Sequence, residues 1–279
     1  MRIDAHHHLW DVSKRDYDWL KTQDPQIQRT FDVSDLQIAM ASAAIDRTII
    51  VQTVPELGET LDMLATAAAN PETIAGVVGW VDLADPAVSD ALAELMTGEA
   101  GSFLVGIRHV VHNELDARWL MRADVRRGLQ AVGEAGLLYE LLIRTRELPA
   151  AIEVAESLPD VQFVLDHIGK PPIADGACDE WADLVTQLAA HTNVACKLSG
   201  LVAEAKPGAT TADFQPYADR ILESFGTDRI MFGSDWPVCV PHRSYEGVYE
   251  LAVELLRGLS TSELAAVFGL NAVSVYGLA

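Results

Sequence analysis

Eight short apolar runs rich in β-branched residues alternate along this chain with eight amphipathic segments, and that alternation leaves few possible folds. The strand-like runs fall at 2–6, 47–54, 74–81, 103–109, 137–143, 161–167, 194–199 and 229–235. Segments with helical spacing of apolar residues lie at 33–44, 57–69, 87–96, 119–135, 146–157, 180–190, 214–225 and 245–256. Asp85-Pro86 precedes the third of these and Thr211-Ala212-Asp213 the seventh, both helix-start signals. A last helix is predicted over 261–268, with Ser260 as its N-cap. Runs such as Ile49-Ile50-Val51 are apolar without alternation, which suits parallel strands covered on both faces. Eight strand–helix units in 279 residues predict an α/β fold, a single (β/α)8 TIM barrel forming one domain over 1–279. A doubly wound open sheet is the competitor, but no glycine-rich phosphate turn follows the first strand. No Pro/Gly/Ser-rich linker divides the chain.

In a TIM barrel the active site collects at the C-terminal ends of the strands. Those ends carry, in order, His6 and His8, Gln52, Trp80 with Asp82, Arg108 with His109, Glu140, Asp166 with His167, Lys197 with Ser199, and Ser234 with Asp235. So many polar and ionisable side chains at the ends of apolar strands point to an enzyme. The first pair belongs to Ile3-Asp4-Ala5-His6-His7-His8-Leu9-Trp10, an apolar setting unlike the Gly/Ser filler around an expression tag. Side chains two apart on a strand share a face, so His6 and His8 converge while His7 faces elsewhere.

Charge narrows the partners. With 20 Lys+Arg against 41 Asp+Glu, the net charge is −21. That field repels phosphate backbones and anionic lipid, so neither nucleic acid nor a membrane surface is expected as a partner. An anionic substrate would need dedicated Arg or Lys clamps, and the excess acid otherwise serves solubility. Cys178, Cys196 and Cys239 are odd in number and form no paired motif, which fits a reducing compartment. Cys196 reads as a core residue, whereas Cys239 follows a loop motif and has no such simple reading. There is no signal-peptide pattern and no apolar run long enough to span a bilayer. A soluble, cytoplasmic protein is expected, and its oligomeric state leaves no mark on the sequence.

His6, His8, His167 and Asp235 make a set of three imidazoles and one carboxylate. Such a set can bind one Zn²⁺ or a similar divalent ion with a position left for water or substrate. Asp235 can instead act as general base on an attacking water while the ion polarises an ester carbonyl. His167 alone would read as a hydrogen-bonded core residue, but it opens the turn-rich stretch Ile168-Gly169-Lys170-Pro171-Pro172, typical of site walls. Asp235 alone would read as a turn cap, but it lies just past an apolar strand.

The ordered motifs resemble the amidohydrolase superfamily: His6-x-His8 after the first strand, Asp166-His167-x-Gly169-Lys170-Pro171 after the sixth, and Gly233-Ser234-Asp235-Trp236-Pro237 after the eighth. Ile3-Asp4-Ala5-His6, Tyr17-x-Trp19-Leu20, Gly106-Ile107-Arg108-His109 and Lys197-Leu198-Ser199-Gly200 narrow the resemblance to its branch of sugar-lactone and pyrone-dicarboxylate lactonases. L-fuconolactonase-like and L-rhamnonolactonase-like members are the most similar. The resemblance spans nearly the whole chain and implies a hydrolase of carbohydrate catabolism that opens a small-molecule lactone with water to an aldonic acid. It implies His6, His8 and His167 as polarising or metal-binding histidines and Asp235 as the base that also returns a proton to the leaving hydroxyl. Arg108 would face the substrate, clamping a carboxylate or hydrogen-bonding hydroxyls.

Lys170, Lys197, His109, His112, Trp10 and Trp236 are further pocket candidates. Trp10 suits a core equally well, and Lys197 could pair with Glu140 inside the barrel. The loop 202–211, with Lys206-Pro207-Gly208, is expected at the rim. Dinuclear members of the superfamily place a carboxylated Lys or a Glu after the fourth strand and a His after the fifth. Here those strands offer Arg108-His109 and Tyr139-Glu140-Leu141, so one divalent ion at most is expected, zinc first. A metal-free mode, in which the histidines polarise the carbonyl by hydrogen bonding, stays open. So do a related barrel decarboxylase and an inactive barrel that only binds.

Overall fold

In the computed structural model every predicted strand is present, and all eight pair in parallel in sequence order. They are β1 (Ile3–His7), β2 (Arg47–Val51), β3 (Ile74–Gly79), β4 (Leu104–His109), β5 (Leu138–Leu141), β6 (Phe163–Leu165), β7 (Val194–Leu198) and β8 (Ile230–Phe232). Helices follow each strand: α1 (Val33–Ala43), α2 (Leu57–Ala69), α3 (Val88–Thr97), α4 (Ala123–Glu134), α5 (Leu148–Ser157), α6 (Asp179–Ala189), α7 (Thr211–Phe225) and α8 (Tyr245–Leu255). The structure describes residues 1–176 and 178–278; of the domain expected over 1–279, Ala177 and Ala279 lie outside the described residues. The architecture is the (β/α)8 TIM barrel that the alternation predicts.

The sheet closes where β1 meets the chain just beyond β8. His7 bridges Trp236, His8 N donates to Trp236 O at 2.7 Å, and Asp235 N donates to His6 O at 2.8 Å. The hydrogen bonds that close the barrel therefore also set Asp235 beside the histidines.

β6 and β8 are shorter than predicted at their C-terminal ends, and the reason is local. β6 stops at Leu165 rather than 167, and β8 at Phe232 rather than 235. His167, Ile168 and Asp235 take φ of 52°, 51° and 55°, the left-handed region, which no strand can follow. The segment predicted as one helix over 119–135 splits into a 3-10 turn (Trp119–Met121) and α4, with Arg122 non-helical between them. The helix predicted over 261–268 becomes α9 (Thr261–Ala265), a π turn (Ala266–Leu270) and α10 (Asn271–Tyr276). Ser260 caps α9 as expected, in a capping box with Glu263.

Two apolar layers hold the fold. The larger lies between barrel and helices. The smaller fills the barrel interior with Ile3, Ala5, Ile49, Val51, Val78, Leu138, Val164, Ala195 and Met231, joined by Ala272 and Tyr276 of α10. Burying each large aliphatic side chain contributes roughly 1.5–3 kcal/mol. No helix among the described residues is long and apolar enough to cross a membrane.

Candidate active site

Asp4 is a carboxylate buried in a strand, and it organises the closing seam. Its Oδ1 accepts from His6 N at 3.0 Å and Ser234 N at 2.8 Å, and its Oδ2 accepts from Ser234 Oγ at 2.6 Å and Tyr245 Oη at 2.9 Å. One side chain thus ties β1, the turn after β8 and α8 together around Asp235. Gly233 allows this approach, since a Cβ there would stand 2.7 Å from the Cβ of His6.

Above the seam four side chains converge. His6 Nε2 and His8 Nε2 are 3.2 Å apart. Asp235 Oδ1 lies 3.4 Å from His8 Nε2 and 3.8 Å from both His6 Nε2 and His167 Nε2. His7 points away, its Nε2 on Thr48 Oγ1 at 2.9 Å. His8 Nδ1 contacts the carbonyl of Val51 at 2.7 Å and must donate to it, which turns Nε2 to the site. His167 is set by Ser199 Oγ, 2.8 Å from its Nδ1, and by Gly200, whose Cβ would stand 2.5 Å from that same nitrogen.

Burial, and then the nearby Lys197 cation, hold His6 well below the usual histidine range. Burial brings His167 down to about 4. Both are therefore neutral near pH 7. Asp235 is buried, which opposes its ionisation, yet His167, His8 and Lys170 outweigh that and hold it below the usual carboxylate range. The result is an ionised carboxylate beside the neutral imidazoles of His6 and His167.

The donor set fits a divalent cation. One ligand atom each from His6, His167 and Asp235 lies within 4.8 Å of the others, and His8 Nε2 adjoins two of them. A tetrahedral zinc site with bonds of about 2.0–2.1 Å separates its donors by roughly 3.3 Å, close to the spacings here.

A layer of charges lies behind His6. Arg108 Nη1 is 3.2 Å from His6 Nε2 and 2.9 Å from Asp166 Oδ2, while Nη2 donates to the carbonyl and, at 3.1 Å, to Oε1 of Gln52. Both terminal nitrogens are engaged by the protein, so Arg108 lends the site charge rather than a free fork. Lys197 does pair with Glu140, at 2.6 Å, and also reaches His6 Nδ1 at 3.0 Å. Burial opposes ionisation of Asp166, but Lys197, His6 and Arg108 together keep it well below the usual range. Burial and the neighbouring Asp166 push Glu140 up to about 7.

The remaining candidates have partners of their own. Lys170 pairs with Glu204 at 2.7 Å, and Glu204 also takes Arg144 at 2.9 Å, which ties the loop after β7 to that after β6. His109 stacks on Trp119; it accepts from the Trp80 indole at Nδ1, so its Nε2–H faces Glu114 at 2.8 Å. His112 is pushed down to about 4 by burial, then by Lys170 and Arg144. Trp10 packs against Trp19 and Phe31 with its indole N–H on the carbonyl of Arg29, and Trp236 packs against Phe31. Cys239 is buried and burial pushes its thiol well up, so it is a packing residue and not a nucleophile. Lys206, Pro207 and Gly208 help line a cleft of about 550 Å³ with Thr22, His242 and Arg243. Asp4 and Gly200 gained no structural role from sequence, although an acid inside an apolar strand was a signal for Asp4.

A barrel with this constellation at its C-terminal strand ends belongs to the hydrolytic TIM-barrel enzymes. The family model described as Amidohydrolase matches residues 3–278, and the chain belongs to that family. An L-fucono-1,5-lactonase of Burkholderia ambifaria is 35% identical, covering 99% of this chain and 95% of that protein. An L-fucono-1,5-lactonase of Burkholderia multivorans is 34% identical over 100% of this chain and 96% of its own. A crystal structure of an amidohydrolase from Burkholderia multivorans with bound zinc superposes with a TM-score of 0.94 at 34% identity, covering both chains fully.

Proposed function

We propose that the protein opens a sugar-acid lactone, of the L-fuconolactone or L-rhamnonolactone type, to the aldonic acid. The observation that carries this reading is the single oxygen Asp235 Oδ1 set 3.4–3.8 Å from three imidazole nitrogens. The full-length similarity to L-fucono-1,5-lactonases supports it.

Asp235 takes a proton from a water held against it, and the water oxygen attacks the lactone carbonyl carbon. The carbonyl electron pair moves onto oxygen, where Arg108 and the histidines around it favour the developing negative charge. Collapse breaks the ring C–O bond, and the protonated Asp235 returns its proton to the departing ring oxygen. The product acid ionises, so each turnover releases one proton. His6, His8, His167 and Asp235 would hold one divalent ion, which when bound supplies Lewis-acid polarisation of the carbonyl. In this reading Lys170, bridged to Glu204, and His109 would meet the substrate from the rim.

A panel of aldonolactones and pyrone lactones followed by a pH indicator tests the reading. Hydrolysis of a sugar lactone is expected, with kcat lowered about 10²–10⁴-fold in Asp235→Asn at unchanged melting temperature. Absence of turnover across the panel would sink it. Repeating the assay after chelation, with metal content measured, separates the two modes of polarisation: a lost rate assigns it to the ion, a retained rate to the histidines.

A further inference from the structure

Behind the Asp235 cluster a second set of donors converges on a different atom. His6, Glu140 and Asp166 each place a ligand-type atom within 4.8 Å of the others, all from fully buried side chains. Lys197 Nζ stands among them, 2.6 Å from Glu140 Oε1, 3.1 Å from Asp166 Oδ1 and 3.0 Å from His6 Nδ1. An ammonium carries three N–H donors, and here Glu140 Oε1 meets it at close range while Asp166 Oδ1 and His6 Nδ1 stand beside it. Tyr276 of α10 donates to Glu140 Oε1 at 2.6 Å and braces the arrangement from the other side.

The acceptors are not exhausted. Glu140 Oε2 and Asp166 Oδ1 are buried without a well-directed hydrogen-bond partner. Two carboxylates and an imidazole nitrogen, with oxygen valences to spare, form a donor set of the kind that holds a divalent ion. The Lys197 ammonium and the Arg108 guanidinium on Asp166 together balance the two carboxylates, and a dication beside them would meet direct Coulomb repulsion.

We propose that the Lys197 ammonium is a resident cation filling a latent divalent-metal site made by His6, Glu140 and Asp166, so that the barrel offers at most one exchangeable cation position. The inference is independent of which lactone is the substrate; His6 belongs to both donor sets, with Nε2 toward Asp235 and Nδ1 toward Lys197.

Metal counting tests it on the full chain. Wild type, Lys197→Ala, Glu140→Gln and Lys197→Ala/Glu140→Gln are expressed and dialysed with Co²⁺ or Zn²⁺, and bound metal is measured by elemental analysis and calorimetry. Lys197→Ala is expected to bind one equivalent more than wild type, to gain a further Co²⁺ absorption band, and to melt higher with metal than without it. The double variant is expected to lose the extra equivalent. A folded Lys197→Ala that binds no additional metal overturns the proposal. If Lys197→Ala does not fold even with metal, wild type decides: at most one equivalent upholds the proposal. A second equivalent that Glu140→Gln abolishes overturns it.

Discussion

The interior of this barrel is built from two contrasting regions. Toward α10 it is filled by Ile3, Ile49, Val51, Val78, Leu138, Val164 and Met231, all nearly inaccessible to solvent. At the C-terminal ends six of the eight strands, or the turns just beyond them, present His6, Arg108, Glu140, Asp166, His167, Lys197 and Asp235, almost as deeply buried. Burial does opposite things in the two places. It stabilises the apolar region in proportion to the area removed from water. In the polar region each buried charge is costly unless a partner meets it, so the groups stand only as a set. The lesson is that one region can absorb change piecemeal while the other cannot.

The largest expected effect is at the seam that joins the two. Asp4→Ala strands the donors of Ser234, His6 and Tyr245, and should lower stability by about 3–5 kcal/mol while abolishing activity. Denaturant unfolding and kcat measured together would show both. A variant that lost neither would break the claim that Asp4 sets the site.

Leu138→Ala, in the apolar region, should cost about 2–5 kcal/mol yet leave kcat within a few-fold where the protein is folded. A collapse of kcat without a matching loss of stability would erase the contrast. Gly200→Ala reverses that pattern. A Cβ at φ 68° and 2.5 Å from His167 Nδ1 should cost only about 1–3 kcal/mol, with a kcat loss of roughly tenfold or more.

The smallest effect concerns the rim. Burial opposes ionisation of Glu204, but Lys170 and Arg144 hold its carboxyl below the usual range. A carboxyl lowered on folding contributes stability above its unfolded value, near pH 4.3, and loses it as pH falls through the folded value. The melting-temperature gap between wild type and Glu204→Gln should therefore be full at neutral pH and shrink under acid. A gap that stayed constant from pH 7 to pH 3 would remove the ion pair from the account.

Much of the site was legible before any fold was known. His6 and His8 follow from two-residue periodicity, and His167, Asp235, Arg108 and Lys197 from their places at the ends of apolar runs. The roles of Lys197 and Arg108 were not legible in the same way. Lys197 was open between pocket and core, and its contact with His6 spans 191 residues of chain. Arg108 was expected to face the substrate, and only its neighbours Asp166 and Gln52 reveal that its two terminal nitrogens are engaged.

By itself the sequence determined the number and order of strands, the parallel barrel, and the end of the barrel at which chemistry collects. Those properties rest on local periodicity and on the burial preference of each residue type. Tertiary structure alone decided which charges touch, how each imidazole is oriented, and where strands break off into left-handed backbone at His167 and Asp235. Such outcomes depend on atoms brought within about 3 Å from distant parts of the chain, and distance along a sequence carries no record of them.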